Sequence, residues 1–113
     1  MVRFTSRVDL DTAKAAISDA ATSGTARLQL YDFSSGGSFD LKSLEIQQLA
    51  DFARRQTEAD LWRVAIVAPD DLDYGLLRMY RAYRDQGKAE AQHNVFRNCD
   101  EALAWLQPGD NVL

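Results

Sequence analysis

Four times along this chain of 113 residues an extended segment gives way to a run with helical spacing, and that alternation is its strongest constraint on fold. Strands alternating with helices predict a parallel sheet, whose crossovers are right-handed in nearly every known case. The first strand is read as Val2 to Val8, with Val2, Phe4 and Val8 on one face and Arg3, Thr5 and Arg7 on the other. Such period-two alternation marks a half-exposed strand. The second runs from about Arg27 to Phe33, with Leu28 and Leu30 opposed to Arg27, Gln29 and Tyr31. Trp62 to Ala68 is the third and most apolar, and a weaker fourth lies near Gln92 to Arg97.

The helices announce themselves by their ends. Asp9, Asp40 and Asp70 each stand where a carboxylate caps free backbone N–H groups of a first turn. Asn98-Cys99-Asp100-Glu101 resembles a capping box. Phe39 is placed to staple onto Leu44, and Gly24, Gly87 and Pro108-Gly109 stand at helix ends. Ala13, Ala16, Ile17, Ala20 and Ala21 form a small-residue stripe that predicts close packing on the sheet. In the second helix the stripe is Leu41, Leu44, Ile46, Leu49, Phe52 and Ala53; in the third it is Leu72, Leu76, Met79, Tyr80 and Tyr83. Parallel strands covered on both faces read as continuous apolar runs. Because the first two strands alternate, the expectation is a four-stranded, mostly parallel sheet with its helices mainly on one face. Arg27, Gln29, Tyr31, Arg63, Ala65 and Val67 would then form a mixed opposite face.

Composition narrows the class. A chain of this size buries about two-thirds of its unfolded surface and needs no disulfide or metal to hold a core. It reads as one domain over residues 1–107 with a short tail at 108–113. The single cysteine, Cys99, forms no internal disulfide, which fits a reducing compartment. No run reaches the ~20 apolar residues of a membrane span, and no charged-then-apolar leader opens the sequence. The expected location is cytoplasmic, without membrane insertion. With a net charge of −4 and scattered Lys and Arg, nucleic acid is not an expected partner. One histidine and no Cys/His pair at ligand spacing exclude a structural zinc site. No metal or cofactor is expected.

The second half of the chain resembles a known group. Arg63-Val64-Ala65-Ile66-Val67-Ala68-Pro69-Asp70-Asp71-Leu72, then Gly75-Leu76-Leu77-Arg78-Met79-Tyr80, Val95-Phe96-Arg97 and Glu101-Ala102-Leu103-Ala104-Trp105-Leu106 are similar to the bacterial SpoIIAA-like proteins. These are grouped with the STAS (sulfate transporter and anti-sigma antagonist) domains and, more distantly, with the CRAL-TRIO lipid-binding domains. The resemblance runs from about Val2 to Leu106 and rests on a buried strand, caps and a closing helix. It implies a right-handed β/α superhelix with consecutive strands adjacent. Many relatives begin with one strand more, so its absence here is expected to bare a sheet edge. The anti-sigma antagonists carry a phosphorylated serine at the start of the second helix. The matching stretch here is Asp40-Leu41-Lys42-Ser43, where Leu41 and Lys42 take the hydroxyl's place and Ser43 falls late; the phosphosite is therefore not carried over.

Ligands of open parallel sheets bind beyond the carboxyl ends of the strands. Ser34–Asp40, Pro69–Tyr74 and Arg97–Cys99 should converge there, which makes Ser34, Ser35, Ser38, Asp40, Ser43, Asp70, Tyr74, Gly75 and Cys99 the candidate ligand or partner surface. Each also has a plain structural reading. Asp40 and Asp70, like Asp71, Asp73 and Asp100, complement helix dipoles and would repel a phosphate. Ser34-Ser35-Gly36-Gly37-Ser38 lacks a P-loop lysine and reads equally as a connector. Cys99 near a helix start has either a lowered thiol pKa or the role of a small packing residue. A catalytic pair of Cys99 with His93 is not required by the spacing. Gly75 inside a helix costs about 1 kcal/mol relative to alanine, which a close backbone or a ligand would explain. Tyr74, Met79, Tyr80 and Tyr83 suit an apolar pocket or a core.

The functional expectation is a non-enzymatic STAS-like interaction or regulatory module that binds a protein partner or a second copy of itself. The alternative is a carrier of a lipid or small apolar ligand in a CRAL-TRIO-like pocket.

Overall fold

A computed structural model describes residues 2–23, 28–56, 63–84 and 92–106 of the chain. In order these form β1 (Val2–Arg3), β2 (Arg7–Val8), α1 (Leu10–Ser23), β3 (Leu28–Asp32), β4 (Ser38–Phe39), α2 (Ser43–Gln56), β5 (Arg63–Val67), α3 (Asp71–Arg84), β6 (Gln92–Phe96) and α4 (Cys99–Leu106). The expected features at Gly24, Arg27, Trp62, Gly87 and Pro108-Gly109, and the tail at 108–113, lie outside the described residues.

The main sheet is four-stranded and wholly parallel, in the order β1-β3-β5-β6. Each strand thus lies beside the next one reached through a helix, as a β/α superhelix requires. The large core packs Ile46, Leu49 and Ala53 of α2 and Leu77 and Tyr80 of α3 with Val64, Ile66 and Val95 of the sheet. Ala13 of α1 joins the same core. A second, smaller core lies across the sheet, where Ala102 and Leu106 of α4 meet Leu30, Ala65 and Val67. Three helices therefore cover one face and α4 alone covers part of the other, the one-sided layer expected from the sequence.

The assignment of side chains to faces is corrected. β3 pairs with β5 as Leu30↔Ala65 and Tyr31↔Ile66, and laterally paired residues of a sheet point the same way. Leu28 and Leu30 consequently belong with α4, while Gln29 and Tyr31 face the three-helix layer. Ala65 and Val67 are fully buried rather than part of a mixed surface. Tyrosine suits the interior because its ring is apolar and its hydroxyl finds a partner: Tyr31 donates to Gln29 Oε1 at 2.9 Å.

The first strand is also revised. Val2–Val8 breaks into β1, which pairs with β3, and β2, which pairs in parallel with β4 in a separate two-stranded sheet. That second pairing draws Ser38 and Phe39 into a strand and delays α2 until Ser43. Asp40 is therefore not its cap; Asp40 donates its N–H to Val8 O and its carboxylate pairs with Arg7 at 2.8 Å. The helix is closed instead by Glu45, whose Oε1 accepts the Lys42 N–H at 2.9 Å, half of a capping box. The expected staple is absent: Phe39 is buried edge-on against Phe33, and Leu44 is 64% exposed. The other caps stand as expected. Asp9 Oδ1 accepts from Thr12 N, Asp70 Oδ2 from Leu72 N and Asp73 N, and Asn98 Oδ1 from Glu101 N.

β1 reaches only Tyr31 and Asp32, so among the described residues no strand lies against the outer edge of Leu28–Leu30.

Two glycines separate sharply on substitution. A Cβ on Gly37 would stand 2.5 Å from the Phe4 carbonyl oxygen, whereas one on Gly75 meets nothing within 4 Å. Neither a close backbone nor a packed neighbour explains Gly75. Urea unfolding should show Gly37→Ala destabilised by about 1–3 kcal/mol through overpacking and Gly75→Ala stabilised by up to about 1 kcal/mol through helix propensity. The assignment fails if both changes are neutral.

Candidate functional site

The three segments expected at the carboxyl ends of the strands do converge, but their polar groups satisfy one another. Asp32, the last residue of β3, is 1% exposed. Its Oδ1 accepts the Ser34 N–H at 2.8 Å and its Oδ2 faces Arg3 Nε at 3.4 Å. Burial opposes ionisation of this carboxyl, yet hydrogen bonds from Ser34, Cys99 and Arg3 outweigh it and hold Asp32 below the ordinary aspartate range. Cys99 shifts the opposite way from that of an activated thiol. Burial raises it, and the charge of Asp32 raises it further.

The neighbouring candidates are likewise engaged. Arg97 donates to Asp71 Oδ1 at 2.5 Å and to Pro69 O at 3.2 Å, and lies 4.0 Å from the centre of the Tyr74 ring. Asp73 accepts the Phe39 N–H at 3.1 Å and so ties α3 to β4. Burial pushes the Asp73 carboxyl upward, partly offset by that hydrogen bond. The serine- and glycine-rich loop turns tightly over the first strand. Gly36 takes a φ of 99° and Ser38 donates to Ser6 O, so the loop presses on residues 4–6 rather than opening as a cradle. Ser34, Ser35 and Ser43 are exposed, Ser38 is half-buried, and Gly75 is exposed on α3. Cys99 and His93 are not brought together. Cys99 starts α4 and belongs to the α4-side core, while His93 is the second residue of β6 on the other face.

A recess lies elsewhere, between the sheet and the three-helix layer. α1 packs chiefly along α2 and makes little contact with the sheet. Its small side chains Ala13 and Ala16, expected to close down on the strands, instead line a recess with Ile17. The recess opens to solvent and offers about 50 Å³ of space. Phe4, Val8, Phe33, Phe39, Leu49, Val64, Ile66 and Leu77 supply apolar wall. Its polar groups are Gln29, Tyr31, Tyr80, His93 and Arg84. Gln29, Val64 and His93 are laterally paired near the amino ends of their strands, and Arg84 is the last residue of α3. Burial raises the Tyr31 hydroxyl well above the ordinary tyrosine value, the Tyr80 phenol adding to this and the Arg84 charge opposing it. It stays protonated and acts as a donor.

Of the tyrosines expected near a pocket, only Tyr80 lines the recess; Tyr74, Met79 and Tyr83 pack against the core. Asp32 and Arg84 were not among the expected site residues, and Gln29 and Tyr31 were expected on the mixed sheet face rather than under the three-helix layer. For Asp32 a signal was present: a carboxylate interrupting the apolar run Leu30-Tyr31-Asp32-Phe33.

Comparison with protein-family models, curated proteins and solved structures finds no match to this chain. Among the described residues, no helix is long and apolar enough to cross a membrane.

Two measurements check the carboxyl-end network. Asp32 has a folded pKa below its unfolded value, so its contribution is fully present above the unfolded pKa of about 3.9 and is lost as pH falls through the folded pKa. Asp32→Asn should therefore cost about 1–3 kcal/mol at pH 7 by urea unfolding, and distinctly less at pH 3. A deficit that does not change with pH would rule out the ionised form as the stabilising one. Alkylation of Cys99 at pH 8 should run slower than that of free cysteine, since only the thiolate reacts. A rate equal to or above free cysteine would contradict the raised thiol pKa.

Proposed function

We propose that this domain is a non-enzymatic binding module whose ligand is a small apolar or amphipathic molecule held between the sheet and α1–α3. The observation that carries this reading is the recess itself. Its walls are mostly apolar with a few polar groups, the usual make-up of a small-molecule site. Volume sets the size of the ligand. The 50 Å³ of space is about a third of the ~150 Å³ that holds a benzene ring, so a larger ligand keeps part of itself in the mouth. The more distant resemblance to CRAL-TRIO lipid-binding domains points the same way, whereas the SpoIIAA-like resemblance itself implies a protein partner. The raised thiol of Cys99 and its separation from His93 give no support to a cysteine-based enzyme.

A protein partner, or a second copy of the chain, is the other reading. It draws support from Leu44 and Leu72, 64% and 69% exposed, and from the outer edge of β3, against which none of the described strands lies at Leu28–Leu30. Gel filtration at high concentration tests the self-association version: a dimer supports it, and monomer throughout counts against it.

The ligand reading is tested with 1-octanol as the probe, followed through the methyl resonances of Ile17, Leu49, Val64, Ile66 and Leu77. Saturable shifts confined to these groups are expected, and Ala16→Leu, which fills the recess, should weaken binding by about tenfold. Shifts absent from these methyls, or unaffected by Ala16→Leu, would defeat the proposal.

A further inference from the structure

The core uses only one of two apolar faces of α3. The side chains that helix buries are Asp73, Leu77, Tyr80 and Arg84. The stripe expected from the sequence, Leu72, Leu76, Met79 and Tyr83, lies about 90° around the helix from them. Tyr83 turns to α2, where its hydroxyl accepts from Gln47 Nε2 at 2.9 Å. Leu76 and Met79 are half-buried, and Leu72 is 69% exposed. Beside Leu72 the outermost positions are Asp71, Gly75, Arg78 and Ala82, all exposed. A Cβ on Gly75 would meet nothing within 4 Å, so no contact among the described residues accounts for a glycine there. A second helix laid across that point does, because a residue without a Cβ lets two backbones come closest.

Charge decides what that second helix is. Asp71 and Arg78 stand seven residues, about two turns, apart on the outward face, with Gly75 between them. Two copies of α3 crossed antiparallel at Gly75 about a two-fold axis bring Asp71 of each copy toward Arg78 of the other. Parallel copies would set like charge against like. The Asp71 side chain is 93% exposed, and while one of its oxygens takes Arg97, a carboxylate has a second to offer. We propose that this chain forms a homodimer through the outward face of α3. The two helices cross antiparallel at Gly75, with reciprocal Asp71–Arg78 pairs and with Leu72 covered by the second copy. The inference deepens the self-association reading above and rests on it. One helix pair is a small interface, so the dimer is weak and reversible.

Sedimentation velocity of the full chain is expected to show mostly dimer at about 0.5 mM and mostly monomer at about 5 µM. Leu72→Glu and Gly75→Gln should each weaken association about tenfold or more, while Leu103→Ser, on α4 across the sheet, leaves it within about twofold. The Gly75→Gln side chain enters open space in the isolated chain, so urea unfolding of the dilute variant should not fall below wild type. That separates a blocked interface from a damaged fold. The charges give the deciding arm. Asp71→Lys and Arg78→Glu should each be monomeric alone, since each sets two like-charged pairs face to face. An equimolar mixture of the two should restore a dimer, in which both pairs are opposite in sign. If the wild-type chain dimerises but neither Leu72→Glu nor Gly75→Gln weakens it, or if mixing restores nothing, self-association stands through another surface and this interface is overturned. A wild-type chain that stays monomeric at the higher concentration overturns the interface and the self-association reading together.

Discussion

The lateral pairing of β3 with β5 is the constraint on which the rest of the structure depends. Leu30 beside Ala65 and Tyr31 beside Ile66 decide which residues of both central strands meet α4 and which meet the three-helix layer. A slip of one residue would exchange the two sets, placing Leu28 and Leu30 under α1–α3 and turning Tyr31 and Gln29 toward α4. The large core would then lose the tyrosine ring, and the recess would lose the hydrogen bond that orients its glutamine. The register also brings Asp32 level with Val67 at the carboxyl end, where Ser34, Cys99 and Arg3 converge on it.

The two ends of the sheet use polar groups in opposite ways. At the carboxyl end the charged and hydroxyl groups are spent on each other: Asp32 on Ser34, Cys99 and Arg3, Arg97 on Asp71 and Pro69, Asp73 on Phe39. Such mutual satisfaction fixes loops and helix starts and leaves little to offer a ligand. Toward the amino end, α1 stands off the sheet and its alanines are too short to fill the space beneath it. The recess thus lies in a gap of the helix layer rather than beyond the carboxyl ends of the strands, where ligands of open parallel sheets usually bind.

Much of the architecture was legible because it follows from local chemistry. Asp9, Asp70 and Asn98 cap their helices because a short acceptor at that position meets free N–H groups whatever the tertiary context. The reading failed where a distant partner intervened. Asp40 looked like a cap, but β2 recruits Ser38 and Phe39 and carries Asp40 into an ion pair with Arg7. Leu44 was assigned to the apolar stripe of α2, yet it stands two residues from Ile46, about 200° around the helix, and faces solvent. Cys99, Ser34 and Asp70 do stand at one end of the sheet, where Cys99 and Ser34 bond Asp32 and Asp70 caps α3, while the groups around the recess come from β3, α3 and β6, distant in sequence.

By itself the sequence determined the alternation of strands and helices, the parallel sheet it entails, the helix layer gathered mainly on one face and three of the four helix starts. These depend on periodicity and on interactions within a few residues. Only the tertiary structure decided the register of β3 on β5, the break of the first strand into two, and the recess under α1. Each of those depends on which distant surfaces meet and how completely their side chains fill the space between them, and no local pattern encodes that.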